Sequence, residues 1–241
     1  MTNFTIYGER CTGTNWLSKL IYDNFIICHT EVYGHKHSFG TEPLNEAISQ
    51  SNDCLFLCTV RNPVDTLLSF FEKAHHQPIE RMRSIEVFLT SEFYSITLMK
   101  DDFFHNGFKF TKNNQLILGN ERRFKNIFEM RAVKNYYLSQ VIPKLTPNHY
   151  FIRYEQLKSN TVDILNDIQN KFCLKRKNKE FQIESAYVCP RLGNWDNFRL
   201  ANNRKIKSNY KLSDEIKIIF KNNLDFEVEE LCGYQLDFLK Y

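Results

Sequence analysis

The stretch Tyr7–Trp16, YGERCTGTNW, holds two glycines, Gly8 and Gly13, at the G-x-x-x-x-G spacing of a Walker A phosphate loop. Thr14 and Asn15 stand where that loop carries a lysine and a serine or threonine. The Walker lysine reaches the β- and γ-phosphates, and the hydroxyl beside it holds Mg²⁺. Thr14 supplies no charge, and Asn15 is a poor metal anchor. Thr12 and Thr14 still offer hydroxyl donors, Arg10 offers charge, and the backbone N–H groups of a helix start can surround a phosphate. The chemistry expected is recognition of one phosphate-like group without a metal.

A second set of residues sits in VRNPVDTLLSF, where Arg61 follows an apolar run and Ser69 comes eight positions later. Arginine suits bidentate phosphate recognition, and a serine on the next helix can complete such a pocket. A third set, YGHKHSFG, brings His35, Lys36 and His37 together. As His-x-His it resembles half of a metal site, but no nearby acidic or cysteine partners complete a ligand set.

Strands and helices must place these residues. Asn3–Tyr7 is short, β-branched and aromatic, and Trp16, Leu17, Leu20, Ile21 and Phe25 recur at helical spacing. That order of strand, glycine loop and helix opens a βαβ unit. Thr30–Tyr33 (TEVY) reads as a second short strand. Cys54–Val60 (CLFLCTV) is a continuous apolar run, as expected of a strand buried on both faces of a parallel sheet. Pro63 is placed to open a helix carrying Val64, Leu67, Leu68 and Phe71 on one face. Helical patterns cover Ile85–Lys100 and Asn126–Val141, and HNGFKFTKNNQLILGN between them resembles a loop or hairpin. His149–Tyr154 reads as a strand, Val162–Phe172 as an amphipathic helix, and Ser213 as the cap of a helix over Ile216–Leu224. The basic run Lys175–Lys179 reads as a solvated turn. The expectation is one α/β domain over 1–241, a three-layer sandwich around a mostly parallel sheet, similar to the P-loop NTPases. Residues 76–149 read as an α-rich insertion packed on the sheet.

Composition narrows the function classes. The chain has 241 residues, 42% hydrophobic and 25% charged, with 32 basic and 28 acidic side chains and a net charge of +4. That suits an anionic small ligand and is too weak and dispersed to argue for nucleic acid. No apolar stretch approaches a membrane span. The opening MTNFTIYGER lacks a basic and apolar leader, and seven cysteines occur with no C-x-x-C pair. A reduced, cytoplasmic protein is expected.

Taken together, the motifs resemble the sulfotransferases that use 3′-phosphoadenosine 5′-phosphosulfate (PAPS). CTGTNWL, Cys11 to Leu17, is similar to their 5′-phosphosulfate loop, and Arg61 with Ser69 to their 3′-phosphate motif. FIRYEQLKSN resembles a later segment of the family and implies that Tyr154 lies near the adenine. YKLSDEIKIIFKNNLDFEVEELCGY is similar to the C-terminal helices. The loop position that usually holds Lys or Arg is Cys11 here, and in the variant opening G-E-R-x-[ST]-G-T-N the neighbouring Arg10 takes its place.

The resemblance implies Arg10, Cys11, Thr12, Gly13, Thr14, Asn15, Trp16, Arg61, Ser69 and Tyr154 as donor-binding residues. A basic residue of the C-terminal region, Arg191 or else Arg204 or Lys205, would close over the 3′-phosphate. It also implies a catalytic His or Glu about twenty residues past the loop. His37 is the first choice and His35 the second, since alternate residues of an extended loop point opposite ways. Glu42 is a spare carboxylate, and His75-His76 could line the acceptor pocket. The cation facing the leaving oxygen is Arg10, Lys36 or Lys19. The implied reaction moves a sulfuryl group from PAPS to a hydroxyl or amine on a small-molecule, carbohydrate or peptide acceptor, without a metal, and releases 3′,5′-ADP. Other readings of the same loop are an atypical P-loop kinase or NTPase and a non-catalytic nucleotide-binding relative.

Overall fold

Four parallel strands in the order β2-β1-β3-β4 form the sheet of the computed structural model, which describes residues 1–37, 40, 42–73, 79–93, 123–183 and 212–236. In chain order the elements are β1 (Asn3–Gly8), α1 (Thr14–Asn24), β2 (Cys28–His29), α2 (Glu42–Ser49), β3 (Cys54–Val60) and α3 (Pro63–Lys73). A 3₁₀ turn (Ile79–Met82), α4 (Ile85–Thr90) and α5 (Ile127–Tyr136) follow. A π-helical turn (Tyr137–Val141) leads directly into α6 (Ile142–Leu145). β4 (His149–Arg153), α7 (Tyr154–Ser159), α8 (Thr161–Phe172), α9 (Asp214–Asn223) and α10 (Phe226–Leu231) complete the set. No helix among the described residues is long and apolar enough to cross a membrane.

Strand β3 explains the architecture. All seven of its residues are buried, so its side chains must meet apolar partners on both faces. Tyr7, Cys54, Phe56, Cys58 and Val60 pack on one face with Leu67 and Phe70 of α3 and Phe128 of α5. Phe4, Ile6, Leu55, Leu57 and Ile152 pack on the other with Leu17, Leu20 and Ile21 of α1 and Leu165 and Ile168 of α8. Helices therefore cover both faces of an all-parallel sheet, the α/β architecture expected. The registers Gly8↔Thr59 and Val60↔Arg153 end β1, β3 and β4 at the same edge. The loop after β1, Arg61 and Tyr154 are thereby delivered to one place, where ligands bind in open parallel sheets.

Several expected elements are shifted. The second strand is Cys28–His29 and not TEVY. Cys28 donates to Thr2 and Thr30 to Phe4 along β1, after which Val32 is 84% exposed and the chain turns with Gly34 at φ 87°. Helix α4 ends at Thr90, because Ser91 is extended and the Thr90 and Ser91 hydroxyls bond back to Glu86 and Val87 carbonyls. Phe93 then bridges to Phe124. The remainder of the expected helix and HNGFKFTKNNQLILGN lie outside the described residues.

The second predicted helix starts as expected, with the Asn126 side chain capping Phe128 and Glu129 N–H groups at 3.0 Å. It continues through the π turn to Leu145. On α3 the buried stripe is Thr66, Leu67 and Phe70, with Val64, Leu68 and Phe71 only partly buried. The basic turn after α8 is exposed along most of its length, as expected, with Lys175, Lys177 and Lys179 all at the surface, and it is also tied down at two points. Arg176 lies 3.8 Å from the Phe181 ring centroid and Lys177 N–H bonds to the Asn24 carbonyl at the end of α1.

Candidate functional site

The loop after β1 is shaped by close backbone approach. A Cβ at Gly8 would lie 2.7 Å from Thr59, and one at Gly13 would lie 2.5 Å from the Tyr154 ring. Cys11 (φ 67°) and Gly13 (φ 90°) are both left-handed, a costly state for the non-glycine Cys11. Side chains hold the turn: Thr12 Oγ1 donates to the Glu9 carbonyl at 2.7 Å, and Thr59 Oγ1 to the Thr12 carbonyl at 2.9 Å. Gly13 then starts α1 with no side-chain cap, so the positive end of the helix opens onto the loop. Gly13→Ala should combine left-handed strain with a ring clash and cost about 1–3 kcal/mol. A thermal melt reads this as a lowered midpoint.

The cations around the loop are arranged less simply than their spacing suggested. Arg10 is buried, its Nη1 3.0 Å from Glu9 Oε1 and its guanidinium 5.5 Å from the Phe70 ring centroid, while Nη2 is buried with no hydrogen-bond partner among the described residues. The other Glu9 oxygen accepts from Lys134 Nζ of α5. Burial alone would raise the Glu9 carboxyl, but Lys134 and Arg10 hold it below the ordinary carboxylate range. Burial pushes the Lys134 ammonium down to about 8 against the pull of Glu9. Lys36 Nζ donates to Asn15 Oδ1 at the start of α1, and its carbonyl accepts from Gly8 N–H at 2.9 Å. Lys19 instead pairs with Asp23 on α1 at 2.7 Å. Arg10 and Lys36 thus stand at the loop, and Lys19 is committed along its own helix.

His35 and His37 do not diverge as alternate residues of an extended segment would. The chain turns at Lys36-His37, and the two rings meet edge to face, 5.1 Å apart. His37 is 8% exposed, with Nδ1 2.6 Å from the Gly8 carbonyl. A carbonyl only accepts, so Nδ1 carries the proton and Nε2 is the ring's accepting nitrogen. Burial, then Arg10, Lys134, Lys36 and His35, lowers His37 well below the usual histidine value, which makes it neutral at physiological pH. Burial and Lys36, Arg10 and Lys134 push His35 down to about 3. Glu42 is exposed at the first position of α2. Among the described residues no three His, Cys, Asp or Glu side chains could share a metal ion.

Arg61 joins the second strand end to the first. Its Nη1 donates to the Cys11 carbonyl at 3.1 Å, its guanidinium lies 4.8 Å from the Tyr154 ring centroid, and its Nε is buried without a partner among the described residues. Trp16 meets Tyr154 edge to face at 5.8 Å, and its indole N–H is likewise buried without a partner among the described residues. Ser69 is partly exposed in the second turn of α3. Beside this cluster, a cavity of about 820 Å³ is lined by Asn62, Arg153, Glu155, Gln156, Glu230 and Tyr234, among others. His75, His76, Arg191, Arg204 and Lys205 lie outside the described residues.

Four residues that touch this site carry no local sequence signal of their role: Glu9, Arg131, Lys134 and Glu229. Arg131 Nε and Nη2 grip the Glu229 carboxylate of α10 at 2.6 and 2.8 Å, and Nη2 also donates to the Arg61 carbonyl at 2.7 Å. The one available hint was their phase. Arg131 and Lys134 follow Ile127 and Met130 at helical spacing, where a solvated helix face would not place them. Comparison with protein-family models, with curated proteins and with solved structures returned no match for this chain.

Proposed function

We propose that the chain is a sulfotransferase that moves a sulfuryl group from PAPS to a hydroxyl or amine of a small-molecule or carbohydrate acceptor, releasing 3′,5′-ADP. One observation carries this reading. Arg61 bonds to the carbonyl of Cys11 while stacking on Tyr154, so three motifs separated in sequence meet in one contact cluster. The donor fits the residues present. Buried donors of Arg10, Arg61 and Trp16 have no partner among the described residues, which leaves them open to an acceptor-rich ligand as well as to water.

On this reading the left-handed loop and the start of α1 hold the 5′ phosphosulfate end, and Arg61 with Ser69 takes the 3′-phosphate. Trp16 and Tyr154 supply aromatic surface for the base. His37 Nε2 takes the proton of the acceptor as its oxygen or nitrogen attacks sulfur. The bond from sulfur to the bridging oxygen breaks, and its electron pair leaves on the phosphate. Arg10, Lys36 and the helix dipole stabilise that charge.

The test is a thermal-shift titration with 3′,5′-ADP in the absence of Mg²⁺. A ligand at about 100 times its Kd adds about 2.7 kcal/mol of stability, or on the order of 5–10 °C for a chain of this size. Arg61→Ala should lose most of that shift. Stabilisation by ATP with Mg²⁺ and none by 3′,5′-ADP would favour a kinase or NTPase and overturn the proposal.

A further inference from the structure

One face of α5 touches both candidate anion loops. Arg131 and Lys134 are three positions apart, which places them side by side on the helix, and both are buried. Lys134 ends on the Glu9 carboxylate, whose other oxygen holds the Arg10 backbone N–H at 2.7 Å and Nη1 at 3.0 Å. Arg131 ends on the Arg61 backbone carbonyl at 2.7 Å. Its remaining contacts anchor it to Glu229, and Asn135 of the same helix reaches that carboxylate at 3.4 Å. The first loop is thus fixed through a carboxylate and the second through a main-chain carbonyl, both from one rigid helix.

We propose that Arg131 and Lys134 are positioning residues that fix the distance between the two loops, so that the site selects a ligand carrying two phosphate groups at a set spacing. This rests on the reading of the site as a 3′,5′-bisphosphate nucleotide site. An ion pair serving stability alone would need only Arg131 and Glu229. The additional bond to the Arg61 carbonyl holds the backbone from which that side chain extends, and its Nη1 reaches the Cys11 carbonyl. Each tie serves one end of the ligand, which makes the two contributions separable. Arg131 acts on the 3′-phosphate through Arg61, and Lys134 acts on the 5′ end through Glu9 and Arg10.

The experiment compares dissociation constants for 3′,5′-ADP, 5′-AMP and 3′-AMP by calorimetry. Arg131→Lys keeps the charge and loses the fork. It should weaken 3′,5′-ADP and 3′-AMP about tenfold while 5′-AMP stays within about twofold. Lys134→Met should weaken 3′,5′-ADP and 5′-AMP about tenfold and spare 3′-AMP. If Arg131→Lys fails to fold, the double variant Arg131→Met/Glu229→Met replaces the buried pair with apolar groups of similar volume, commonly tolerated, and carries the same expectation. Folded variants that weaken all three ligands equally, or none, would overturn the positioning role while leaving the nucleotide site intact. Wild-type protein that binds no 3′,5′-ADP would overturn both.

Discussion

Substituting His37 with alanine is expected to lower sulfuryl transfer by about 10²–10⁴-fold, the usual contribution of a positioned base, while 3′,5′-ADP affinity changes little. The ring does two things, and a second variant separates them. His37→Asn keeps an N–H donor able to reach the Gly8 carbonyl, which Nδ1 now meets at 2.6 Å, but has no counterpart of Nε2. A structural role would be rescued by asparagine. A role as base would not, and recovered turnover in His37→Asn would remove His37 from the mechanism. If His37→Ala stays active and His35→Ala does not, the base is His35.

The pH profile adds a further check. His37 is held neutral well below its usual value, so kcat/KM should show no acid limb near pH 6.5. An alkaline limb should appear near pH 8, where Lys134 loses its proton, and Lys134→Arg should move it upward.

The largest stability effect should come from Glu9. Its carboxylate is buried between two buried cations, Arg10 and Lys134. Glu9→Gln removes the only charge that compensates them in this trio, and breaking a buried pair in this way costs about 3–5 kcal/mol. For a chain of this length that is a drop of roughly 10 °C in Tm. Glu9→Gln/Lys134→Met removes one charge of each sign and should recover part of the loss. Because the Glu9 carboxyl is held below its ordinary value of 4.5, its stabilising contribution is complete above that pH. It is lost as the solution is acidified through the folded-state value. Wild-type protein should therefore lose more stability below pH 4.5 than Glu9→Gln does, and equal acid sensitivity of the two would show that the carboxylate contributes nothing.

What could be read from the sequence followed from burial. A strand covered on both faces must be apolar throughout, so Cys54–Val60 announced itself and placed Arg61 at its end. Gly8 and Gly13 were legible because their positions exclude side chains, Gly8 against Thr59 and Gly13 against Tyr154. Pairing decided the rest. TEVY has the residue types of a strand, yet two-residue β2 needs only the register Asn3↔Cys28 and Phe4↔His29, and the β-branched run turns away. His35 and His37 were expected on opposite sides, and a turn at Lys36-His37 brought their rings together. The phase of Lys134 puts it on the buried side of its helix, but nothing local shows that its partner is Glu9.

That partner is 125 positions away in the chain, and the separation has a consequence for synthesis. A nascent polypeptide that has emerged as far as α3 already contains the glycine loop, Lys36, His37 and Arg61. It does not contain the helix that compensates Glu9 or the bond that holds the Arg61 backbone. Contacts of such long range must first overcome loop-closure entropy and form late. On the proposed reading, ligand affinity would be acquired with the docking of α5, and 3′,5′-ADP binding would mark chains that have finished folding rather than chains that have merely collapsed.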